Sequence, residues 1–188
     1  ICICSNYMII TISGLLGSGK STVAKALAKK LDWPYYGIGE LRRRAADDAG
    51  LTLEQYNKLG ESDIQTDLLV DDFQKKLGET EDNIIVEGRL SWYFIPQSFK
   101  IFLTVNPIEG ARRIYGACLQ GRRASESDEF SSEQFVLEAN ERRMASDRKR
   151  YQQYFNIDPY LPEYYDFVLD TTDLQPQDNF EKVYKKVY

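Results

Sequence analysis

Short apolar runs alternate along the chain with longer segments in which apolar residues recur every three or four positions. The runs Tyr7–Ile12 and Asn83–Val86 are rich in β-branched residues, which indicates buried strands. The segment Lys20–Leu31 places its apolar residues on one helical face. Because strands that alternate with helices form βαβ units, the pattern predicts an α/β fold whose parallel sheet binds ligands at the carboxyl ends of its strands.

Turn and capping residues divide this pattern into the elements of a single domain that spans residues 1–188. The predicted strands are Tyr7–Ile12, Trp33–Tyr36, Asn83–Val86, Phe99–Val105 and Asp166–Asp170. The predicted helices are Lys20–Leu31, Gly39–Ala49, a segment that begins at the N-cap Thr52, Ser62–Leu77, Pro107–Gln120, Glu133–Asn156 and Asn179–Tyr188. The polar segment Gly121–Ser132 indicates a loop. We therefore expect a three-layer fold with a five-stranded parallel sheet.

Composition and charge exclude several classes of protein. Hydrophobic residues make up 43% of the 188 residues, so the chain can bury a core and is not disordered. A net charge of -5 disfavours a protein that coats nucleic acid, and we expect no nucleic-acid partner. No apolar stretch reaches the roughly 18 residues of a membrane span, so we expect no membrane partner. The absence of His removes His-based general bases, nucleophiles and metal sites.

The cysteines bear on the compartment and on the start of the chain. Cys2, Cys4 and Cys118 are too few for a disulfide framework, which favours a reducing compartment and predicts a cytoplasmic protein. The start of the chain lacks the basic residues of a secretory signal. Because Met8 opens an apolar run, we interpret residues 1–7 as a leader or an added extension. A metal site at Cys2 and Cys4 is the alternative to a frayed or strand-extending terminus, which we favour because no second Cys or His cluster is available.

The most specific motif lies between the first predicted strand and the first predicted helix. Gly14, Leu15, Leu16, Gly17, Ser18, Gly19, Lys20 and Ser21 match the phosphate-binding pattern G-x-x-x-x-G-K-[ST]. In this pattern backbone N–H groups surround phosphate oxygens, the lysine reaches the β- and γ-phosphates, and the last hydroxyl binds Mg²⁺ directly. We therefore predict that these residues and Thr22 bind ATP, with Lys20 acting in catalysis and Ser21 as a metal ligand.

Arginine is concentrated in a chain that is acidic overall. Eight of the twelve arginines lie between residues 108 and 150, and three more form the run Arg42–Arg44. Because the guanidinium fork suits phosphate recognition, this concentration favours a local site for a polyanion. Solvated salt bridges along helices are the alternative, and the pattern alone leaves both open.

Ordered blocks of the sequence resemble those of the nucleoside monophosphate kinases, most closely the cytidylate kinases of the short archaeal and bacterial type. The opening ITISGLLGSGKSTVAKALAKKL is similar to the start of that family. Tyr36–Arg43 resembles its S-A-G-E-[hydrophobic]-F-R pattern, whose acceptor-phosphate arginine falls on Arg43. Ile85–Ser91 resembles its V-L-E-G-R-L stretch, whose arginine falls on Arg89.

A fourth block extends the resemblance, which covers Met8 to about Asp173. Arg143–Tyr151 resembles R-E-x-S-E-x-x-R-Y, whose arginines fall on Arg143 and Arg150. The resemblance implies a P-loop kinase fold that transfers the γ-phosphoryl group of ATP to CMP or dCMP, with Mg²⁺ as cofactor. It also implies acceptor-binding helices over residues 36–78 and a helical lid over residues 112–156.

The resemblance and the P-loop together define a candidate site. Its catalytic residues are Lys20, Arg89, Arg143 and Arg150, and its acceptor-binding residues are Gly39, Arg43, Asp67, Asp71, Arg89 and Asp147. Arg143, Asp147 and Arg150 share one helical face, which is either a lid surface or a solvent-exposed ladder of charges. Glu87 is expected to hold Mg²⁺ through water, and an ion pair with Arg89 or Lys20 is the alternative.

Base recognition depends on the helix predicted at Ser62–Leu77. Asp67, Asp71 and Gln74 look like the family's D-x-x-x-D-x-x-Q pattern, and we predict that Asp67 or Asp71 accepts a hydrogen bond from cytosine N4. An acidic stripe that faces solvent is the alternative.

Several positions depart from the family's patterns. Gly37 stands where the family has Ser, so a hydroxyl near the acceptor is missing. Leu90 stands where the longer bacterial cytidylate kinases have the Asp that reads cytosine. The usual lid motif does not follow Arg113, and Arg122 and Arg123 are candidates to replace it.

Other functions remain open at this point. They are an adenylate-type or other small-molecule P-loop kinase, and a non-catalytic nucleotide-binding switch, which the second set of arginines disfavours. A hydroxyl acceptor would need a general base after the second strand, where Glu40 is the acid available. A phosphate acceptor is already ionised near neutral pH and needs no such base. The expected partners are ATP and CMP or dCMP, and we expect a monomer.

Overall fold

The computed structural model of the chain describes residues 8–61, 65–121 and 131–188, and for residues 65–69 it describes the backbone. Its strands are β1 (Ile9–Gly14), β2 (Tyr35–Gly37), β3 (Ile84–Glu87), β4 (Phe99–Thr104) and β5 (Phe167–Asp170). Its helices are α1 (Lys20–Leu31), α2 (Ile38–Asp48), α3 (Leu53–Gly60), α4 (Gln65–Thr80), α5 (Ser91–Phe94), α6 (Pro107–Leu119), α7 (Glu133–Phe155) and α8 (Pro176–Val187), with a 3₁₀ turn at Pro162–Tyr164. Residues 1–7, with Cys2 and Cys4, and the pair Arg122 and Arg123 lie outside the described residues.

The five strands form one parallel sheet in the order β2-β3-β1-β4-β5. The central strand β1 pairs with β3 at Ile12 and Glu87 and with β4 at Ile12 and Ile101. Every residue of β1 is buried, as expected for an apolar strand that has a neighbour on each side and helices above and below. The predicted α/β fold with a five-stranded parallel sheet is confirmed, and the carboxyl ends of all five strands lie along one edge.

Helices cover both faces of the sheet and create the three layers. On one face, Val23 of α1 and Val183 of α8 pack with Ile12 in the larger core cluster. On the other face, Ile38 of α2 and Leu77 of α4 pack against β3. Each fully buried aliphatic side chain of this kind stabilises the fold by about 1.5–3 kcal/mol. The two cores hold the strand ends, and the loops that follow them, in fixed positions.

Local capping signals explain the helix starts that the sequence predicted correctly and one that it did not. At the start of α3, Thr52 Oγ1 accepts from the Gln55 N–H at 3.1 Å, and Gln55 Oε1 accepts from the Thr52 N–H at 2.8 Å. The last helix begins at Pro176 rather than at the predicted Asn179, because the Asp178 carboxylate accepts from the Gln175 N–H at 3.3 Å and proline fits the first turn. The short helix α5, one turn after β3, was not predicted.

The longest helix, α7, has 23 residues and carries charged side chains along its length. No helix in the described parts of the chain combines the length and apolar character needed to cross a bilayer. The assignment of residues 36–78 to acceptor binding and of residues 112–156 to a lid remains a prediction.

Candidate active site

The phosphate loop (Gly14–Ser21) has the backbone that its glycines predict. Gly14, Gly17 and Gly19 have positive φ values of 148°, 80° and 84°. A Cβ at Gly14 would collide with the carbonyl of Leu103, and a Cβ at Gly17 would collide with the backbone of Gly110. Glycine is therefore required both by the backbone conformation and by the close approach of β4 and α6. The loop is pressed against the sheet in one defined shape.

The polar side chains of the loop meet at one carbonyl group. Lys20 Nζ donates to the Leu15 carbonyl at 2.9 Å, and the buried Ser18 Oγ donates to the same oxygen at 2.8 Å. Ser21 and Thr22 are exposed in the first turn of α1, whose N-cap Gly19 provides no side-chain cap. Open N–H groups at a helix N-terminus, together with an ammonium group, form an anion site.

Glu87 lies at the end of β3, directly beside the strand that leads into the phosphate loop. It pairs with Ile12 of β1 and with Gly37 of β2. Its Oε2 accepts a hydrogen bond from the Tyr35 hydroxyl at 2.7 Å, a partner that the sequence did not reveal. The Ser21 hydroxyl and the Glu87 carboxylate are hard oxygen donors, and Mg²⁺ is usually held by one or two such groups with phosphates and water. The donor set therefore fits Mg²⁺.

A buried carboxylate organises the second part of the site. Asp147 on α7 is 1% exposed and accepts from Arg89 Nε at 2.6 Å, from Tyr160 at 2.8 Å and from Arg150 Nη2 at 3.1 Å. Burial alone would raise the pKa of this carboxyl, but Arg89, Arg150 and Arg143 hold the pKa below its usual value. Asp147 is thus an ionised carboxylate that fixes side chains from three parts of the chain.

Two further arginines complete what we call the arginine cluster (Arg42, Arg89, Asp147 and Arg150). Arg150 is fully buried, and its Nη2 also donates to the Tyr151 hydroxyl at 2.8 Å. Arg42 is 8% exposed and donates from Nε to Asn57 Oδ1 at 2.7 Å. Burial, and next the charge of Arg150, lower the pKa of Arg42 to about 10. Cations held this closely in the interior favour a nearby anion.

The α7 face predicted from sequence is therefore largely internal. Arg143 is half-buried, whereas Asp147 and Arg150 are buried. The alternative of a solvated ladder of charges is wrong for those two residues. Arg150 lies behind the surface in this structure and donates hydrogen bonds to Asp147, to the Tyr151 hydroxyl and to the Asn57 carbonyl.

The predicted acceptor residues lie on α2 and α4. Gly39 and the half-buried Arg43 belong to α2. Asp71 of α4 is 8% exposed, and burial raises its pKa to about 6, although Lys75, Arg42 and Arg150 oppose the rise. Gln74 is also buried, and its Oε1 accepts from Ser91 Oγ at 2.7 Å. A stripe that faces solvent is thus wrong for Asp71 and Gln74, while the side chain of Asp67 lies outside the described residues.

A cavity of about 450 Å³ lies between α3 and α7, with Leu16 of the phosphate loop and Arg143 among its lining residues. Glu61, which follows α3, spans one side of this cavity. Its carboxylate accepts from Lys149 Nζ at 2.6 Å and from Ser146 Oγ at 2.8 Å, both on α7. Sequence reasoning missed Glu61 because these two partners on α7 are more than eighty residues away and no motif links them to it.

Comparisons with known proteins agree with this geometry. The model of the cytidylate kinase-like family matches residues 9–173. A cytidylate kinase of Methanobrevibacter smithii is 31% identical over 90% of this chain and 92% of its own, and one of Natronomonas pharaonis is 36% identical over 90% and 83%. A shikimate kinase structure from Bacteroides thetaiotaomicron shares the fold, with a TM-score of 0.61, 13% identity, and coverage of 97% of this chain and 99% of its own. The phosphate loop, the buried arginines and the family match together establish that the chain belongs to the cytidylate kinase-like family.

Proposed function

We propose that the protein is an ATP-dependent nucleoside monophosphate kinase that converts CMP or dCMP to the diphosphate. The observation that carries this proposal is a second site of positive charge in addition to the phosphate loop, at Arg89, which the arginine cluster holds in place. Among the described residues, the three guanidinium groups of the cluster outnumber the two buried carboxylates, Asp147 and Asp71, whose electrostatics they influence. A nucleotide-binding switch needs the phosphate loop alone, whereas a kinase for a phosphorylated acceptor needs both sites.

The donor half of the reaction takes place at the phosphate loop. Residues Gly14–Thr22 bind the phosphates of ATP, and Lys20 exchanges the Leu15 carbonyl for the β- and γ-phosphate oxygens. Ser21 would hold Mg²⁺ directly and Glu87 would hold it through water. The bound ion would neutralise charge on the β- and γ-phosphates.

The acceptor half lies between β2, β3 and α7. Arg43, Arg89 and Arg143 bind the acceptor phosphate and the transferring phosphoryl group, with Gly39 allowing close approach to the start of α2. Arg150 and Asp147 are buried, so we assign them the task of holding Arg89 in place rather than contacting phosphate. No general base is required because the acceptor phosphate is already ionised.

Cytosine is read by the buried polar residues of α4. We assign the hydrogen bond from cytosine N4 to Asp71, or to its neighbour Asp67, with support from Gln74. A site whose buried polar group would be left without a hydrogen-bond partner rejects the wrong base more strongly than a site that makes only apolar contacts. Asp71→Ala should therefore raise KM for CMP about tenfold while KM for ATP changes by less than about twofold. Asp67→Ala tests the alternative assignment in the same assay.

The test of the proposed function is a panel of nucleoside monophosphates incubated with ATP and Mg²⁺. ADP should form only when an acceptor is added, and CMP or dCMP should give the highest kcat/KM. A preference for AMP would replace the cytosine assignment with an adenylate-type kinase. ADP formation without any acceptor would overturn the kinase assignment itself.

A hydroxyl acceptor, as the shikimate kinase of similar fold has, is disfavoured here by a specific contact. Glu40, the acid in the position for a general base, forms an ion pair with Lys25 at 2.9 Å. We also propose that the protein acts in the cytoplasm, as a monomer and without nucleic acid. The net charge of -5 and the small number of cysteines support these assignments.

A further inference from the structure

Gly37 is the position where the family's Ser is missing, and its backbone does not explain the change. Its φ of -94° and ψ of 97° are extended values that any residue can adopt. Gly37 ends β2 and pairs with Glu87 across the parallel ladder. A serine here would place its hydroxyl on the same face of the sheet as the Glu87 carboxylate.

The space for that serine is already filled by Tyr35. A Cβ built on Gly37 would lie 2.7 Å from the Tyr35 hydroxyl oxygen and 3.2 Å from the ring carbon that carries it. Residues 35 and 37 point to the same face because side chains alternate along a strand. The same tyrosine hydroxyl donates to Glu87 Oε2 at 2.7 Å. A serine at position 37 would therefore require the Tyr35 side chain to shift.

The ring of Tyr35 is held from its outer side. Lys25 of α1 lies with Nζ 5.3 Å from the ring centroid, and the same ammonium group pairs with Glu40 at 2.9 Å. The phenol has one proton to donate, and in this structure it donates that proton to Glu87 Oε2. The hydroxyl is a fixed donor with one available direction.

We infer that Tyr35 takes the space of a serine at position 37 and is the positioning residue for the Glu87 carboxylate. The inference rests on the proposed role of Glu87 toward Mg²⁺. Anchoring Oε2 leaves Oε1 to accept from a water bound to the ion, and it removes rotational freedom of the carboxylate. Groups that orient metal-linked carboxylates in this way strongly affect metal affinity.

The exchange predicts a specific pattern among Tyr35→Phe, Gly37→Ser and the double variant. The first readout is the factor by which Mg²⁺ strengthens ADP binding, measured by calorimetry with and without the metal. In Tyr35→Phe this factor should be about tenfold smaller than in the natural protein, in the range expected for groups that orient a metal ligand. The double variant, with its serine hydroxyl beside Glu87, should recover to within about twofold of the natural protein.

The second readout is the melting temperature, which does not depend on activity. Gly37→Ser alone should lower Tm by about 3–6 °C because the added atoms displace the Tyr35 ring. In the Tyr35→Phe background the phenolic oxygen is absent, and Gly37→Ser should lower Tm by at most about 2 °C. Tyr184→Phe, which removes a half-buried phenol on α8, is the matched control and should change neither readout.

Some results would overturn the inference. One is that Gly37→Ser lowers Tm equally in the natural protein and in Tyr35→Phe. The others are that the double variant binds Mg·ADP no better than Tyr35→Phe, or that Mg²⁺ strengthens ADP binding by the same factor in Tyr35→Phe as in the natural protein. Neither readout requires the protein to phosphorylate a nucleoside monophosphate. A failure of the proposed function can therefore be distinguished from a failure of this inference.

Discussion

The phosphate loop is built from eight consecutive residues, whereas the arginine cluster gathers side chains from α2, from the segment after β3 and from α7. The loop ends at the N-terminus of α1, where Ser21 is exposed. The cluster is made of side chains, and Asp147 and Arg150 at its centre are almost completely buried. Backbone groups carry no net charge and need no counterion. The buried guanidinium groups are charged, and the protein needs the Asp147 carboxylate beside them to remain folded.

This difference separates function from stability in the two regions. Removing a charge from the loop should impair turnover and leave the fold intact. Removing a charge from the centre of the arginine cluster should mainly lower the free energy of unfolding. The following variants test this separation in order of expected effect.

Asp147→Ala should have the largest effect on stability. It leaves Arg89 and Arg150 in the interior without the carboxylate that they share, and breaking a buried pair in this way costs about 3–5 kcal/mol. Urea denaturation measures the loss. The matched control is Asp72→Ala, because Asp72 pairs with Lys75 on the surface and should change the free energy of unfolding by less than about 0.5 kcal/mol. Similar values for the two variants would remove the distinction between the regions.

Lys20→Ala should have the largest effect on turnover. The ammonium group acts on charge that develops in the transition state, and donors of this kind are worth roughly 3–4 kcal/mol, or about 10²-fold or more in kcat. Lys20 is half-buried at the start of α1, and its ammonium group donates to the Leu15 carbonyl of the same loop, so the melting temperature should change little. Natural turnover in a folded Lys20→Ala protein would end the phosphate-loop mechanism.

Arg150→Ala and Arg143→Ala test two residues of one helix that differ in burial. Arg150 is fully buried, and its loss should cost about 2–3 kcal/mol of stability, less than Asp147→Ala because Arg89 still pairs with Asp147. Arg143 is half-buried beside the cavity, and its loss should reduce kcat about tenfold with little change in Tm. Early melting with normal turnover in both variants would make both arginines structural.

Asp71→Asn tests a buried carboxyl group through pH. Its pKa is raised to about 6 in the folded protein from 3.8, so the folded state binds the proton more tightly than the unfolded state. The free energy of unfolding should therefore fall as pH rises from about 4 to 6, and the charged form should cost on the order of 1–3 kcal/mol at pH 7. Asn removes this dependence, so the variant should be the more stable protein at pH 7. A parallel pH profile in both proteins would contradict the buried position.

The same contrast explains how much of the site could be predicted from sequence. The phosphate loop is local, so a pattern of eight residues predicted its position between the first strand and the first helix. The strands and most helices followed from apolar periodicity, since each element is stabilised by the face that it buries. The roles within α7 did not follow, because helical spacing shows which residues share a face and not whether that face is covered.

Residues that act through distant partners were also beyond the sequence. Tyr35 and Glu87 are separated by 52 positions, and Tyr160 approaches Asp147 only because the chain returns after α7. Arg42 occupies a position that the resemblance assigns to Phe, and its burial beside Asn57 depends on how α2 packs on α3. Such contacts are determined by tertiary packing, which periodicity does not encode.

The most direct test of two separate anion sites is the binding of CMP and of cytidine to the natural protein and to Lys20→Ala, measured by calorimetry. The account predicts that Lys20→Ala binds CMP within about twofold of the natural Kd, because the phosphate of CMP is assigned to Arg43, Arg89 and Arg143 and not to the phosphate loop. Cytidine should bind at least about tenfold more weakly than CMP to both proteins, because it lacks the charged hydrogen bonds to the arginines. Loss of CMP binding in Lys20→Ala, or cytidine binding as tight as that of CMP, would contradict it.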